Sequence, residues 1–260
     1  MSKVPDATVP PPSPAPQPPL EILYRDDRAI AIHKPSGLLV HRSPIDRRET
    51  RFAIQLLRDQ IGQHVYPAHR IDRPTSGILL FGLDEAAGAA LSILFQERKV
   101  QKTYLAMVRG HTQDAGLIDS PLHKYEDQDG HIKSVETQEA RTDYQRLATI
   151  ELPYSTERYA TTRYSLVELS PHTGRRHQIR RHVAHIRHPI IGDVRHGCNK
   201  ANKLARANFG IHRLLLAATH LEFPHPFENK TVKIHCPLEE SFQAALEATK
   251  LNRSIKRSSP

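Results

Sequence analysis

The segment that most constrains the fold is residues 69–77, His-Arg-Ile-Asp-Arg-Pro-Thr-Ser-Gly, which runs directly into the apolar residues 78–81. A short apolar run bounded by turn residues predicts a fully buried strand. Pro74 disfavours helical geometry for the residue before it, so we expect the polar stretch to form a turn at the mouth of that strand. A turn attached to a rigid strand is a suitable position for a reactive group.

Asp72 is the carboxylate of this turn, and Arg70 and Arg73 flank it. Guanidinium groups favour the ionised form of a neighbouring carboxylate. Asp72 is therefore a poor general acid but a suitable nucleophile or electrostatic stabiliser. A second interpretation stays open here: an aspartate that accepts backbone hydrogen bonds in the turn and pairs with an arginine for stability.

The charge balance indicates an anionic partner. The 260 residues include 37 lysines and arginines against 28 acidic residues, a net charge of +9, with 17 histidines in addition. Strongly basic, arginine-rich chains most often bind nucleic acid. An anionic membrane surface is disfavoured, because no basic amphipathic helix with an aromatic face is recognisable. No run of 18 apolar residues is present, which predicts no membrane-spanning helix.

The sequence offers little for metal or nucleotide chemistry. Walker, Gly-x-Gly-x-x-Gly, His-Glu-x-x-His and Gly-x-Ser-x-Gly motifs are absent, and the histidines do not pair with cysteines at zinc spacings. We therefore expect neither a metal nor a cofactor. Cys198 and Cys236 form no Cys-x-x-Cys pair, and no secretory signal is recognisable, which predicts a cytoplasmic protein with reduced thiols.

We expect one folded domain, over residues 20–250. Residues 1–19 contain eight prolines and predict a disordered tail, and residues 251–260 predict a basic, frayed C-terminus. Strand-like segments follow one another through hairpins more often than through crossover helices, which predicts an α+β fold with a mixed, mainly antiparallel sheet flanked by helices. The polar region 111–158 is expected to be an insertion with weak strands and irregular loops.

Apolar spacing and boundary residues locate the individual elements. Helices are predicted over residues 50–61, 84–99, 176–187 and 238–249. Strands are predicted over residues 20–24, 29–33, 78–81, 101–110, 161–170, 213–221 and 231–235.

A second informative cluster, residues 172–182, concentrates arginines and histidines at the start of a predicted helix. The helix macrodipole disfavours positive charge there, whereas a helix N-terminus with arginines is a suitable seat for phosphate. Arg180 lies next to the apolar stripe that includes Ile179, so it is expected at the edge of the core, within reach of a buried carboxylate such as Asp72. The alternative is a solvated basic face.

Tyr104 belongs to a predicted strand in which it shares a face with Lys102 and Ala106. A tyrosine in this position is able to stack on a base or to transfer a proton. The alternative is an ordinary core tyrosine, and spacing alone favours it.

Four segments together resemble the RluA-type pseudouridine synthases, in the same order along the chain. They are Lys34-Pro35-Ser36-Gly37 with His41, residues 69–77, Lys102-x-Tyr104, and Thr173-Gly174-Arg175-x-His177-Gln178-Ile179-Arg180. The second matches the family's catalytic-aspartate motif in full, and the resemblance covers residues 20–250. Within the family the chain is most similar to the tRNA pseudouridine-65 synthases, through residues 58–65 and 181–193. One departure is His33, where many members have asparagine.

The resemblance implies a pseudouridine synthase fold and the isomerisation of a specific uridine to pseudouridine. The implied substrate is uridine 65 in the acceptor and T-stem region of tRNA, with ribosomal RNA, or RNA binding without catalysis, as alternatives. It also implies no cofactor, no metal, no membrane contact, no obligate protein partner and a monomeric state.

The resemblance further implies roles for individual residues. Asp72 is the nucleophile or the stabiliser of the sugar cation, and Arg180 keeps it ionised and oriented. Tyr104 stacks on the target base and is a candidate to take the C5 proton, while Arg70 occupies the gap left by the flipped nucleotide. Further substrate contacts are expected from His69, Lys34, Arg73, Arg175, Arg176, His177, Gln178 and Ile179.

Overall fold

The computed structural model describes residues 18–41, 49–124, 136–156 and 159–254. The predicted proline-rich tail lies outside the described residues except for its last two positions. Residues 255–260 of the predicted C-terminal tail lie outside them as well.

The described residues form twelve strands, five α-helices and one short 3-10 helix. The strands are β1 (Ile22–Arg25), β2 (Ala29–Lys34), β3 (Tyr66–Pro67), β4 (Ser76–Gly82), β5 (Gln101–Arg109), β6 (Ala115–Asp119), β7 (Leu122–His123), β8 (Thr137–Gln138), β9 (Arg141–Leu152), β10 (Thr162–Pro171), β11 (Leu216–Pro224) and β12 (Thr231–His235). The helices are α1 (Ala53–Ile61), α2 (Glu85–Gln96), α3 (Gln178–His185), α4 (Asn199–Phe209) and α5 (Glu240–Ala248), and the 3-10 helix is Leu251–Ser254.

Ten of the strands form one mixed sheet in the order β1-β2-β4-β11-β5-β10-β9-β6, with β12 beside β11 and β3 beside β4. The pairing of β4 with β11 is parallel, and the other strand pairings in this sheet are antiparallel. The prediction of an α+β fold with a mixed, mainly antiparallel sheet is confirmed. Strand β11 joins the half of the sheet built from the early part of the chain to the half built from the later part.

Strand β4 is buried along its whole length, as the apolar run predicts. Ile78 and Leu80 pack into a cluster with Leu91 of α2, whereas Leu79 and Phe81 pack into a cluster with residues of α1. Because both faces of the strand are covered by a helix, both sets of alternating side chains are apolar.

The four predicted helices are present, although each is shorter than expected. Helix α1 ends at Ile61, directly before Gly62, as predicted, and Asp84 caps α2 by accepting a hydrogen bond from the Ala87 N–H at 2.8 Å. Helix α2 ends at Gln96 rather than at residue 99, and Arg98 has a positive φ of 60°. Helix α3 begins at Gln178 rather than at residue 176, because His177 has a φ of 54°.

The structure differs from the predictions in three segments. Residues 141–152, for which only weak strands and irregular loops were expected, form the long strand β9, which pairs with β10 along its length. The sequence of β9 is polar and half-exposed, so its alternation is hard to recognise. Helix α4 was not predicted, since Ala205 is its single buried residue. Leu251 is fully buried, so the folded part extends into the segment expected to be frayed. No helix in the described ranges is long and apolar enough to cross a membrane.

Candidate active site

The loop that carries Asp72 lies between β3 and β4, and the turn after β2 supports it. The Gly37 N–H donates to the Arg73 carbonyl at 2.9 Å, and Lys34 Nζ donates to the same carbonyl at 3.1 Å. The Ser36 hydroxyl donates to the Pro74 carbonyl at 2.8 Å. Residues 34–37 and residues 69–77 therefore form one structural unit, in which the Lys-Pro-Ser-Gly segment fixes the backbone next to Asp72.

Strand β11 brings this loop to Tyr104. Gly77 of β4 pairs with Ala218 of β11, and Ala218 pairs with Tyr104 of β5. Gly77 has a φ of 112°, and a Cβ atom there would lie 2.1 Å from the Ala218 carbonyl oxygen. Only glycine permits this backbone geometry and this close approach.

The structure places Arg180 of α3 beside Asp72, although 108 residues separate them in the sequence. Arg180 Nη1 donates to Asp72 Oδ2 at 3.1 Å. The Asp72 side chain is 26% exposed, whereas that of Arg180 is 6% exposed. The carboxylate therefore stays accessible to a substrate while its cationic partner is buried.

A second carboxylate, Asp193, holds Arg180 from the other side, and sequence reasoning missed it. Asp193 is buried, and its two oxygens accept hydrogen bonds from Arg180 Nε and Nη2 at 2.7 and 2.8 Å. Its Oδ1 also accepts the backbone N–H groups of Arg195 and His196 at 2.9 Å. A signal was present in the sequence, because Asp193 is the one acidic residue between Glu168 and Glu222.

Burial disfavours the charged forms of both Asp193 and Arg180, but their mutual contacts outweigh it. The hydrogen bonds and charge of Arg180, with the two backbone N–H groups, lower the pKa of Asp193. The contacts of Arg180 with Asp193 and Asp72 raise the pKa of the guanidinium. Arg180 is thus charged and oriented before any substrate binds.

Asp72, Tyr104 and Arg180 lie in a cleft of about 520 Å³. Nine of the predicted site residues line it: His69, Arg70, Asp72, Tyr104, Arg175, His177, Gln178, Ile179 and Arg180. Three others, Lys34, Arg73 and Arg176, do not.

Burial and the negative charge of Asp72 raise the pKa of Tyr104. The phenol therefore keeps its proton at neutral pH. In this state its ring is available for stacking, and its hydroxyl is a hydrogen-bond donor rather than a base.

The cationic rim of the cleft includes two residues that the predicted site set omits, Arg98 and Lys102, beside Arg70 and Arg175. Lys102 Nζ donates to the Thr173 carbonyl at 3.4 Å. Burial and the charge of Arg98 lower the pKa of Lys102 to about 8. A rim of this composition favours an anionic substrate.

His69 supports the wall of the cleft without carrying charge. Its Nε2 accepts the Leu80 N–H at 3.1 Å, and its ring stacks on Phe95 with centroids 4.4 Å apart. Burial and the nearby charge of Lys102 lower the pKa of His69 to about 3. A substrate contact from His69 would therefore come from a neutral imidazole.

Gln178 fixes the turn before α3. Its Oε1 accepts from the Thr173 hydroxyl at 2.6 Å and from the Arg175 N–H at 3.0 Å. Its Nε2 donates to the Arg141 carbonyl and the Thr142 hydroxyl, both at 3.0 Å. All four contacts lie within the protein, so Gln178 determines the shape of the turn before α3.

The expectation that Lys34 contacts phosphate was wrong. Lys34 is fully buried, and its Nζ donates to the carbonyl oxygens of Pro35, Leu38 and Arg73. Burial lowers its pKa to about 7, yet three acceptors match the three N–H groups of an ammonium, so we assign the charged form. Lys34 supports the Asp72 loop from inside the protein.

Arg73 and Arg176 are exposed outside the cleft. Arg73 Nε donates to the Gly37 carbonyl at 3.0 Å, and its Nη2 pairs with Glu49 at 2.7 Å. A contact between either arginine and RNA would therefore lie on the surrounding surface and stays a prediction.

Comparison with known proteins agrees with this geometry. The family model described as RNA pseudouridylate synthase matches residues 28–185. The chain is 49% identical over 227 residues to "tRNA pseudouridine synthase C" of Vibrio parahaemolyticus, covering 86% of this chain and 92% of the relative. It is 51% identical over 226 residues to the protein of the same name from Haemophilus ducreyi, covering 86% and 93%.

Among solved structures, human RNA pseudouridylate synthase domain containing 1 superposes with a TM-score of 0.67 at 26% identity, over 91% of this chain and 90% of that one. Human RNA pseudouridylate synthase domain containing 4 superposes with a TM-score of 0.68. The family match over more than half of the chain and the two bacterial relatives lead to one conclusion: this chain belongs to the RNA pseudouridylate synthase family.

Proposed function

We propose that this protein isomerises a uridine of tRNA to pseudouridine, at position 65 in the acceptor and T-stem region. The observation that carries the proposal is the partly exposed Asp72 carboxylate, paired with buried Arg180 in a basic cleft. The bacterial relatives named tRNA pseudouridine synthase C favour tRNA over ribosomal RNA as the substrate.

The reaction rearranges bonds within one nucleotide. The N1–C1′ bond breaks, the base turns over, and a C5–C1′ bond forms. N1 gains a proton and C5 loses one, so the product is an isomer and no oxidant, reductant or water is consumed. A hydrolytic glycosidase uses two carboxylates and a water, whereas here one accessible carboxylate faces the cleft and the second, Asp193, is enclosed with Arg180.

Asp72 supplies the permanent anion that this chemistry requires. Attack at C1′, attack on the base, and a route through a glycal all begin from an ionised carboxylate beside the nucleoside. Arg180 donates to Oδ2 of that carboxylate and directs it, while Oδ1, which Arg180 does not contact, keeps a lone pair for the substrate. The pair therefore prepares the electrostatic environment in advance.

Tyr104 provides a surface for the base. Its phenol stays protonated because burial and Asp72 raise its pKa, so we assign it stacking on the uracil ring. The same raised pKa disfavours removal of the C5 proton by this phenol.

Arg70 and the rim cations bind the surrounding RNA. A uridine inside a stem must leave the stack to reach Asp72, and Arg70, exposed at the cleft, is placed to fill the gap. Arg98, Lys102 and Arg175 line the same cleft and neutralise phosphates beside the extruded nucleotide. We further propose that the protein acts in the cytoplasm as a monomer. We also propose that it acts without metal, cofactor or protein partner, since the isomerisation of a uridine requires none.

The decisive experiment incubates the purified protein with unmodified tRNA transcripts and maps pseudouridine by position. Wild type should modify uridine 65. Asp72→Asn should form no detectable product while it binds the transcript with unchanged affinity, because the substitution removes the charge and preserves the shape. Asp59→Asn, at an exposed ion pair, is the matched control and should stay active.

Two outcomes would overturn the proposal. Equal product from Asp72→Asn would exclude the assigned anion. Pseudouridine that is missing from ribosomal RNA of a deletion strain, with tRNA unchanged, would transfer the activity to ribosomal RNA.

A further inference from the structure

Two histidines form a chain that ends at the catalytic carboxylate. His177, in the turn before α3, has its Nε2 4.0 Å from Asp72 Oδ1. Its Nδ1 lies 2.9 Å from Nε2 of His196, with the rings nearly perpendicular at 71°. The His196 backbone N–H donates to Asp193 Oδ1, so the loop that orients Arg180 also positions His196. The roles assigned above do not use the contact between these two histidines.

Both imidazoles are neutral near pH 7. Burial and the charge of Arg180 lower the pKa of His177 to about 4, although Asp72 opposes this. Burial and the charge of Arg180 likewise lower the pKa of His196 to about 4, against the effect of Asp193. Arg176 acts in the same direction on His177, and Arg195 and Arg181 on His196.

A hydrogen bond between two neutral imidazoles contains one proton, so two arrangements are available. In the first, His177 donates through Nδ1, and its bare Nε2 faces the Asp72 carboxylate. Two acceptors then oppose each other. In the second, His196 donates through Nε2, His177 Nδ1 accepts, and His177 Nε2 carries a proton directed toward Asp72 Oδ1. An ionised Asp72 favours the second arrangement.

We propose that His196 is a positioning residue that holds His177 in the tautomer with its proton on Nε2, so that a donor faces Asp72 Oδ1. Arg180 already donates to Oδ2, and the two carboxylate oxygens thereby have different donors. At 4.0 Å the His177 contact is electrostatic in the free protein. A shift of about 1 Å on substrate binding converts it into a hydrogen bond.

This inference deepens the proposed function and rests on it only for the activity measurement. The first test is made on the free protein: long-range ¹H–¹⁵N correlation spectra of protein labelled with ¹⁵N-histidine, with His177 assigned from a His177→Gln variant. We expect His177 to show a bare Nδ1 and a protonated Nε2. A protonated Nδ1 in the wild type would overturn the inference.

Two substitutions at His196 separate its hydrogen bond from its volume. His196→Gln keeps an N–H donor near the position of Nε2 and should preserve the His177 tautomer. His196→Phe removes the donor, and His177 should then show a mixture of tautomers. An unchanged tautomer in His196→Phe would contradict the proposal. His212→Phe, at an exposed histidine outside the cleft, is the control for both spectra and activity.

The second test is the single-turnover rate of pseudouridine formation. His196→Phe should slow it about tenfold, the loss expected for one hydrogen bond to a charged group, with RNA affinity unchanged. His196→Gln should stay within about threefold of wild type on the same grounds. Equal losses in both variants together with a lowered melting temperature would mean a purely structural role and would overturn the inference. A wild type without activity would refute the proposed function alone, because the tautomer is read without RNA.

Discussion

Arg180 is shared between two carboxylates that differ in exposure. Asp193 is 1% exposed and binds two guanidinium nitrogens, whereas the accessible Asp72 binds one. A buried guanidinium without a partner is strongly destabilising, whereas a fully paired one is tolerated. Asp193 therefore makes the burial of Arg180 possible, and Asp72 receives a fixed cation while it keeps an oxygen for the substrate.

Replacement of Asp193 by Asn tests this division of roles. Asp193→Asn leaves Arg180 buried with a single carboxylate, and we expect the free energy of unfolding to fall by about 3–5 kcal/mol. Pseudouridine formation should fall as well, because the guanidinium loses its orientation. Urea denaturation and the single-turnover assay measure the two effects.

Asp114→Asn is the matched control for this prediction. Asp114 pairs with Arg146 at the surface, where its side chain is 85% exposed. Asp114→Asn should therefore lower the free energy of unfolding by less than about 1 kcal/mol. Similar losses in the two variants would show that Asp193 contributes no more than a surface ion pair.

At the scale of elements, the site depends on the contact between β4 and β11. The parallel pairing of these strands covers two residue pairs, yet it brings the Asp72 loop next to Tyr104. Gly77 permits the contact through a backbone conformation and a space that exclude any Cβ atom. A local change at Gly77 should therefore affect both stability and activity.

Gly77→Ala tests the strand contact. The new methyl group would meet the Ala218 carbonyl, and the positive φ alone costs about 1–3 kcal/mol. We expect a larger loss of unfolding free energy than this, together with reduced activity in the fraction that folds, since β4 must move away from β11.

Gly62→Ala separates backbone strain from steric overlap. Gly62 also has a positive φ, 67°, but no atom lies within 4 Å of a Cβ placed there. The Gly62→Ala substitution should lower the free energy of unfolding by about 1–2 kcal/mol and leave the activity unchanged. Thermal unfolding and the tRNA assay compare the two variants, and equal effects would refute a special role for the contact at Ala218.

At the scale of the whole molecule, the buried histidines predict how stability depends on pH. Burial lowers the pKa of His69 to about 3 and the pKa values of His177 and His196 to about 4. Between these values and the unfolded value near 6.5, the unfolded chain binds more protons than the folded one. Stability should therefore fall as the pH decreases from about 7 toward 4.

Urea denaturation at a series of pH values checks this prediction. The decline should begin between pH 7 and 5, before most carboxylates titrate, and His212→Gln should leave it unchanged because that histidine is exposed. A free energy of unfolding that stays constant from pH 7 to 5 would contradict the prediction.

Much of the architecture was predictable from local pattern. The apolar run after Asp72 predicted buried β4, and apolar spacing with Asp84 and Gly62 predicted α2 and α1. Strand β9 and helix α4 were not predictable in this way, because both are largely polar and their stability comes from neighbours distant in sequence. The burial of Lys34 was equally unpredictable from local pattern, since a lysine at the end of a strand is normally solvated.

The sequence by itself determined the chemistry that is available: one anion in a rigid turn, a tyrosine on a strand, an arginine beside an apolar stripe, and a basic surface. The tertiary structure alone decided which groups meet. Pairing through β11 placed Tyr104 beside the Asp72 loop, and the loop after Ile191 gave Arg180 its second carboxylate. Burial directed the Lys34 ammonium to backbone carbonyls, where it supports the Asp72 loop. Local periodicity encodes which face of an element is apolar, whereas contacts between distant segments depend on packing and strand register, which no local pattern specifies.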